Sequence, residues 1–370
     1  MSIEKEEHSI KTLKEILETP EVIKRICEDK KNLEFIRNIA EEIYKREEVK
    51  SIYLFGSGTS YHAGLVATYW FSQLAKYPTH CELAPEFPYL IEPIIAKKHC
   101  SICISQSGET ELVIYAATKA KEKESLVLAI TNNENSQLVK VVGTDKSILM
   151  HAGPEESVLA TKTYVAELMN LLLLAINLAY FRKNISDDDY ESLISESKAL
   201  SKLITLLLPQ YQQKIKSIAP YFKFARNAFV IGAGHDYANC LEAALKLKEG
   251  ARIFAQAFST AEFPHGPITL AESHLAFVLC LIPQKQATSR YSDVIKLIER
   301  LKSLGVTILG IKDAEDDVKD LDISIEIPTC SWVFRPILSI IPIQLLVVEI
   351  ATIQGINPDT PKYLTKVSHI

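Results

Sequence analysis

Ile102-Cys103-Ile104-Ser105-Gln106-Ser107-Gly108-Glu109-Thr110 is the stretch whose reading decides the fold. Ser101 to Ile104 have strand character, and the sequence then drops into hydroxyls and a glycine. Glu111-Leu112-Val113-Ile114-Tyr115-Ala116-Ala117 follows with helical spacing and a carboxylate in its first turn. A strand that turns into a helix through Ser-x-Ser-Gly leaves first-turn N–H groups without helical partners. With the hydroxyls of Ser105, Ser107 and Thr110, they converge at the positive end of a helix dipole. That is a site suited to a phosphate ester. A capping turn without a ligand is the competing reading, since Ser and Thr are ordinary N-caps. Two serines, a glutamine, a glycine and a threonine within six positions exceed what a cap needs.

The chain around this stretch alternates strands and helices, which predicts a parallel sheet covered on both faces. Residues 8–47 have helical periodicity in two runs broken at Pro20. Ser51–Phe55 reads as a strand ending at Gly56-Ser57-Gly58-Thr59-Ser60, with a helix to about Lys76. Further strands are expected at Thr79–Leu83, Ser101–Ser105, Leu126–Thr131 and Ser147–Met150, then a long helix from Ala160 to Tyr180. Polar-rich helical sequence from Ser186 to Phe224 leads to a restart at Ala228-Phe229-Val230-Ile231-Gly232-Ala233-Gly234. Gly56 and Gly232 stand 176 positions apart, and the same offset carries Ser105 to Leu281, the end of the strand-like run Leu275–Leu281. The half-chain therefore reads as duplicated. The second copy has Leu281-Ile282-Pro283-Gln284 where the first has Ser105-Gln106-Ser107-Gly108, which predicts one phosphate site per chain.

Composition bounds the function classes. The 370 residues suit two domains, with 47% hydrophobic and 24% charged residues and a net charge of −5. No basic concentration points to nucleic acid. Seven scattered cysteines argue against a disulfide framework and for a reducing compartment, and all seven read as small buried hydrophobes. Met1 to Glu7 lacks the pattern of a signal peptide. Leu168–Phe181 is too short an apolar run to span a bilayer, and Pro336–Val348 contains two prolines and a glutamine. Both are expected as buried helices of a cytoplasmic protein without membrane partners.

Acid–base candidates lie in the second copy. Glu242, Lys246 and Glu249 share one helix face, for which a solvated salt-bridged face is the favoured reading by spacing alone. His265, between Pro264 and Gly266-Pro267, sits on a rigid turn, a good place for a proton carrier, although a lone loop histidine is more often structural. Lys366, in the tail Pro361-Lys362-Tyr363-Leu364-Thr365-Lys366, reads by itself as a solvated terminal charge.

Together these residues resemble the sugar isomerase (SIS) family in its double-domain form. The similarity extends to the isomerase half of glucosamine-6-phosphate synthase and to stand-alone glucosamine-6-phosphate deaminases. It is carried by Leu13-Lys14-Glu15-Ile16-x-Glu18-x-Pro20, Gly58-Thr59-Ser60-Tyr61, Ser105–Thr110, Ala160-Thr161-Lys162, Ala244–Glu249, His265-Gly266-Pro267, Pro336–Leu346 and Leu364-x-Lys366. The resemblance implies an α/β fold of two tandem doubly wound parallel-sheet SIS domains behind an N-terminal helical lead-in. The expected boundaries are 1–48, 49–185 and 186–370.

By the same resemblance, Ser105, Gln106, Ser107 and Thr110 hold the phosphate, while Thr59 and Ser60 meet the sugar hydroxyls. Val158 and Ala160 border the substrate. Glu249 moves the proton between C1 and C2, and His265 of a neighbouring subunit assists ring opening with Lys246. Lys366 meets the open-chain carbonyl. Ala160 departs from the pattern, which has a serine there, and the chain starts in the helical lead-in with no glutaminase half. The expected activity is therefore that of a glucosamine-6-phosphate deaminase, a homodimer without cofactor or metal. The alternatives are the isomerase subunit of a synthase, another sugar-phosphate isomerase or deglycase, and a non-catalytic sugar-phosphate sensor. Retention of Glu249, His265 and Lys366 favours an enzyme.

Overall fold

The lead-in folds as three helices rather than two. The structure, a computed structural model, describes residues 10–272, 276–285 and 290–366. The helices are α1 (Lys11–Leu17), α2 (Thr19–Glu28) and α3 (Lys30–Lys45). Pro20 lies in the first turn of α2, where its missing N–H leaves no helical bond unmade, so it opens a helix instead of breaking one. The second interruption is Asp29, whose side chain accepts from Lys31 N at 2.9 Å and starts α3.

β1 (Ser51–Gly56) passes through Gly58, at φ 53°, into α4 (Thr59–Tyr69), prolonged by a π-turn at Trp70–Leu74. There follow β2 (Thr79–Leu83), the short α5 (Phe87–Leu90), β3 (His99–Ile104), α6 (Glu111–Glu122), β4 (Leu126–Thr131), α7 (Gln137–Val142) and β5 (Ser147–Leu149). These strands form one five-stranded parallel sheet in the order β2-β1-β3-β4-β5. The long helix α8 (Lys162–Phe181) begins two residues later than its sequence suggests. It is followed by α9 (Asp187–Ile218), opened by a capping box between Ser186 and Asp189.

The pattern then repeats as β6 (Asn227–Gly232), α10 (His235–Ala251), β7 (Phe254–Ser259), β8 (Phe277–Leu281), α11 (Tyr291–Ser303), β9 (Ile308–Asp313), β10 (Ile323–Ile327) and α12 (Arg335–Gln354). The second sheet is also parallel and, read from β7, runs β7-β6-β8-β9-β10, the order of the first. β8 ends at Leu281, where the offset of the two glycine turns puts it. Leu275, the expected start of that strand, is outside the described residues, as are residues 8 and 9 of the expected lead-in.

Side chains alternate across each sheet. Ile52 and Leu54 of β1 enter a core shared by both sheets and helices α4, α8, α10 and α12. Tyr53 and Phe55 face the other way, onto α6 and α7, and α11 covers the corresponding face of the second sheet. Helices α8 and α12 are each 20 residues and apolar enough to cross a membrane by length and composition, so α8 exceeds the short run read from sequence. Their apolar windows are 89% and 83% buried inside the protein. Six cysteines are buried, whereas Cys330, also expected inside, is partly exposed. Cys100 and Cys103 lie on opposite faces of β3.

Candidate functional site

In the first sheet β1 sits between β2 and β3, so the chain reverses its direction of winding at the β1/β3 boundary. The carboxyl ends of two strands diverge there and leave a crevice, the usual ligand position of open α/β sheets. A cleft of about 240 Å³ occupies this place. It is lined by Thr59 and Ser60 after β1 and by Ser105, Gln106, Ser107 and Thr110 after β3. Val158, Ala160, Lys246, Glu249 and Lys366 complete it, so every sequence-selected residue except Glu242 and His265 meets in one cleft of one chain. His265 ends a short 3₁₀ turn, Phe263–His265, and is exposed on the surface.

The loop after β3 is held open by Gly108, at φ 68°. A Cβ there would stand 2.2 Å from Ser136 Oγ, so no larger residue fits. Two of the loop N–H groups expected to be free are taken by its own hydroxyls. Gly108 N donates to Ser105 Oγ at 3.1 Å and Glu109 N to Ser107 Oγ at 3.1 Å. Ser105 and Thr110 hydroxyls pair at 2.9 Å, and the Thr110 side chain makes no cap bond to α6. The hydroxyls remain on the cleft wall beside the start of α6, whose first turn carries positive dipole charge.

The opposite wall corrects the reading of α10. Glu242 and Lys246 are buried, at 0% and 1% exposure, because this helix face packs on α4 and not on solvent. Lys246 Nζ lies 2.6 Å from Glu249 Oε2 and 3.4 Å from Glu242 Oε1. Glu242 also accepts from Thr59 Oγ1 at 3.1 Å and contacts His62 Nδ1 at 2.7 Å. Burial alone would raise the Glu242 carboxyl, but Lys246, His62 and Thr59 outweigh it and hold it below its ordinary value. Burial would likewise lower Lys246, and the two carboxylates instead raise it. Glu249 is the partly exposed end of this chain of charges, with its side chain 18% accessible.

Ser60 and Lys366 are engaged in ways the sequence did not suggest. Ser60 Oγ donates to Glu167 Oε1 at 2.6 Å, and burial pushes the Glu167 carboxyl up to about 8. Lys366, expected as a solvated charge, donates from Nζ to Glu155 Oε2 at 2.9 Å and to Ser157 O at 2.6 Å. Glu167, His62 and Glu155 were missed because their partners are distant in sequence. The signal for the buried charges was available: on α10 they are flanked by Cys240, Ala243, Ala244, Leu247 and Gly250, which leave little solvent-facing surface.

A larger cleft, of about 520 Å³, lies between the lead-in helices and residues 152–156. Its charges are already matched, as in Lys162 with Glu18 at 2.6 Å and Lys11 with Glu156 at 2.6 Å. It offers a ligand few uncommitted groups.

The chain belongs to the SIS domain family, whose model matches residues 47–177 and 221–353, one match on each sheet. Among its relatives is the glutamine–fructose-6-phosphate aminotransferase (isomerizing) of Thermococcus kodakarensis. The two are 36% identical over 354 residues, covering 96% of this chain and 57% of that protein. The enzyme of the same name from Clostridium tetani is 32% identical over 359 residues, with 96% and 58% covered. The chain thus spans under two thirds of the length of these relatives. Of solved structures, the C-terminal domain of glucosamine-fructose-6-phosphate aminotransferase from Francisella tularensis superposes with a TM-score of 0.85 at 26% identity, covering 96% of this chain and 99% of that one. A glucosamine-6-phosphate deaminase from Thermotoga maritima shares the fold, with a TM-score of 0.73 at 24% identity and coverages of 96% and 99%.

Proposed function

Taking that family membership as the premise, we propose that the chain is an isomerising enzyme of six-carbon sugar phosphates. The finer reading is a glucosamine-6-phosphate deaminase, which with water yields fructose 6-phosphate and ammonia. The observation that carries it is the meeting of the Ser105–Thr110 loop with Glu249, Lys246 and Lys366 in one cleft. Anchoring the phosphate at one end orients C1 and C2 toward the other, so remote binding energy serves positioning. Glu249, the cleft-facing end of the charge chain, moves the proton between C1 and C2. Lys246, 2.6 Å from Glu249, assists ring opening with His265 of a second copy, and Lys366 meets the carbonyl. Thr59 and Ser60 contact the sugar hydroxyls, and Val158 and Ala160 shape the wall.

The test is incubation with glucosamine 6-phosphate without glutamine, assaying both products. Equal amounts of ammonia and fructose 6-phosphate are expected, and absence of both removes the deaminase reading. A second reading, the isomerising part of an aminotransferase, is favoured by the 36% identity to such an enzyme. Formation of glucosamine 6-phosphate from fructose 6-phosphate only when a glutamine-hydrolysing partner is added would select it.

The exposed position of His265 outside its own cleft supports supply of this side chain by a second copy in a homodimer. Mixing inactive His265→Ala with inactive Glu249→Gln protein restores part of the activity on this reading. Hybrids that form and stay inactive exclude a shared site.

A further inference from the structure

Resting on the role just given to Lys366, we propose that Glu155 is its positioning residue and that helix α1 is the second anchor of the same tail. The Glu155 carboxylate is fully buried and its direction is set from the start of α8. Oε1 accepts from Thr161 N at 2.9 Å and Thr163 N at 3.2 Å, and Oε2 accepts from Thr163 Oγ1 at 2.7 Å. One further donor completes the set, the Lys366 ammonium at 2.9 Å. Burying a carboxylate among neutral donors carries a desolvation cost, and a cation at its open side offsets that cost. Lys366 is thus drawn to one point of the cleft wall.

The tail is pinned again at Asp359. Its carboxylate accepts from Lys11 N at 2.9 Å, from Thr12 N at 2.8 Å and from Thr12 Oγ1 at 2.7 Å. Its carbonyl accepts from Val158 N at 3.0 Å, on the loop that carries Glu155. Helix α1 braces that loop from the other side, because Glu15 accepts from the N–H groups of Glu156 and Ser157 and from the Ser157 hydroxyl. The N-terminal helix therefore clamps the cleft-wall loop and the tail together. Its function is to hold an otherwise free terminal lysine over the substrate carbonyl.

The test has one arm that needs no substrate. Ligand-free protein is treated with limiting acetic anhydride, and acetylation of Lys366 relative to exposed Lys362 is read by mass spectrometry. Glu155→Gln raises this ratio about tenfold, the scale of losing one charge-assisted hydrogen bond. Asp359→Asn, remote from the buried carboxylate, raises it by a smaller factor. In the second arm, with glucosamine 6-phosphate, Glu155→Gln lowers kcat with KM within about twofold, since the phosphate loop is untouched. Unchanged labelling in both variants overturns the proposal, as does a wild-type kcat in an active Glu155→Gln protein. Increased labelling in a protein with no turnover of amino-sugar phosphates supports the clamp and removes only the assigned substrate.

Discussion

The two sheets share a strand order and differ at the turn after their third strand in sequence. In the first, β3 runs into Ser105–Thr110 and a cleft. In the second, β8 runs into Leu281-Ile282-Pro283-Gln284, and the region beyond is closed by Arg335. Its guanidinium is fully buried, bonded through Nε to Asp236 Oδ2 at 3.1 Å and through its other nitrogens to Asp313 and the Ile282 carbonyl. Gln284 adds bonds to Asp313 Oδ2 at 3.0 Å and to Cys330 O at 2.8 Å. Arg335 opens α12 as Lys162 opens α8, but Lys162 turns toward Glu18 and the Pro154 carbonyl at the lead-in. The same scaffold thus keeps a cleft in one copy and fills it with an internal ion cluster in the other. Chemistry resides in the residues placed on a fold rather than in the fold.

The largest effect that would sharpen this contrast is on catalysis. Glu249→Gln lowers kcat by about 10²–10⁴-fold, the contribution of a positioned base, while substrate binding survives in the loop of the other copy. Solvent deuterium enters at C1 or C2 in the wild type and not in the variant. A variant that exchanges at the wild-type rate moves the role to another group, with Glu242 next.

The second effect is on stability. Arg335→Leu leaves Asp236 and Asp313 buried with their cation removed, at a cost of roughly 3–5 kcal/mol in denaturant unfolding. A loss under about 1 kcal/mol would show that the second copy is not held by its ion cluster.

Much of this contrast was legible in the sequence, and the reasons are local. The two glycine turns mark strand–helix junctions through backbone conformations few other residues adopt, Gly58 at φ 53° and Gly234 at φ 59°. Loss of Ser-x-Ser-Gly from the second copy is likewise a matter of adjacent residues. What stayed hidden depends on partners far apart in the chain, as in Ser60 with Glu167, Lys366 with Glu155, and Arg335 with Asp236. Helical spacing placed Glu242, Lys246 and Glu249 on one face but carried no information on what that face meets. Packing against α4 converts a solvated salt bridge into a buried charge chain.

A further effect, read as a pH dependence, concerns Glu167. Its folded carboxyl titrates near 8 against an ordinary 4.5, so folding favours the protonated form. The unfolded chain loses this proton first, and stability falls as pH rises from about 4.5 to about 8 and levels beyond. Glu167→Gln removes that slope. Its thermal stability relative to wild type therefore rises through this window and is level above it. A difference independent of pH would show that Glu167 does not stay protonated behind Ser60.

The central claim, one phosphate-binding cleft per duplicated chain and that one in the first copy, is tested most directly by calorimetric titration with glucosamine 6-phosphate. The expected result is one site per chain in the wild type, and affinity lowered by more than about tenfold in Ser105→Ala/Ser107→Ala, where two charge-assisted hydrogen bonds are lost. Two sites per chain, or wild-type affinity in the double variant, would contradict it.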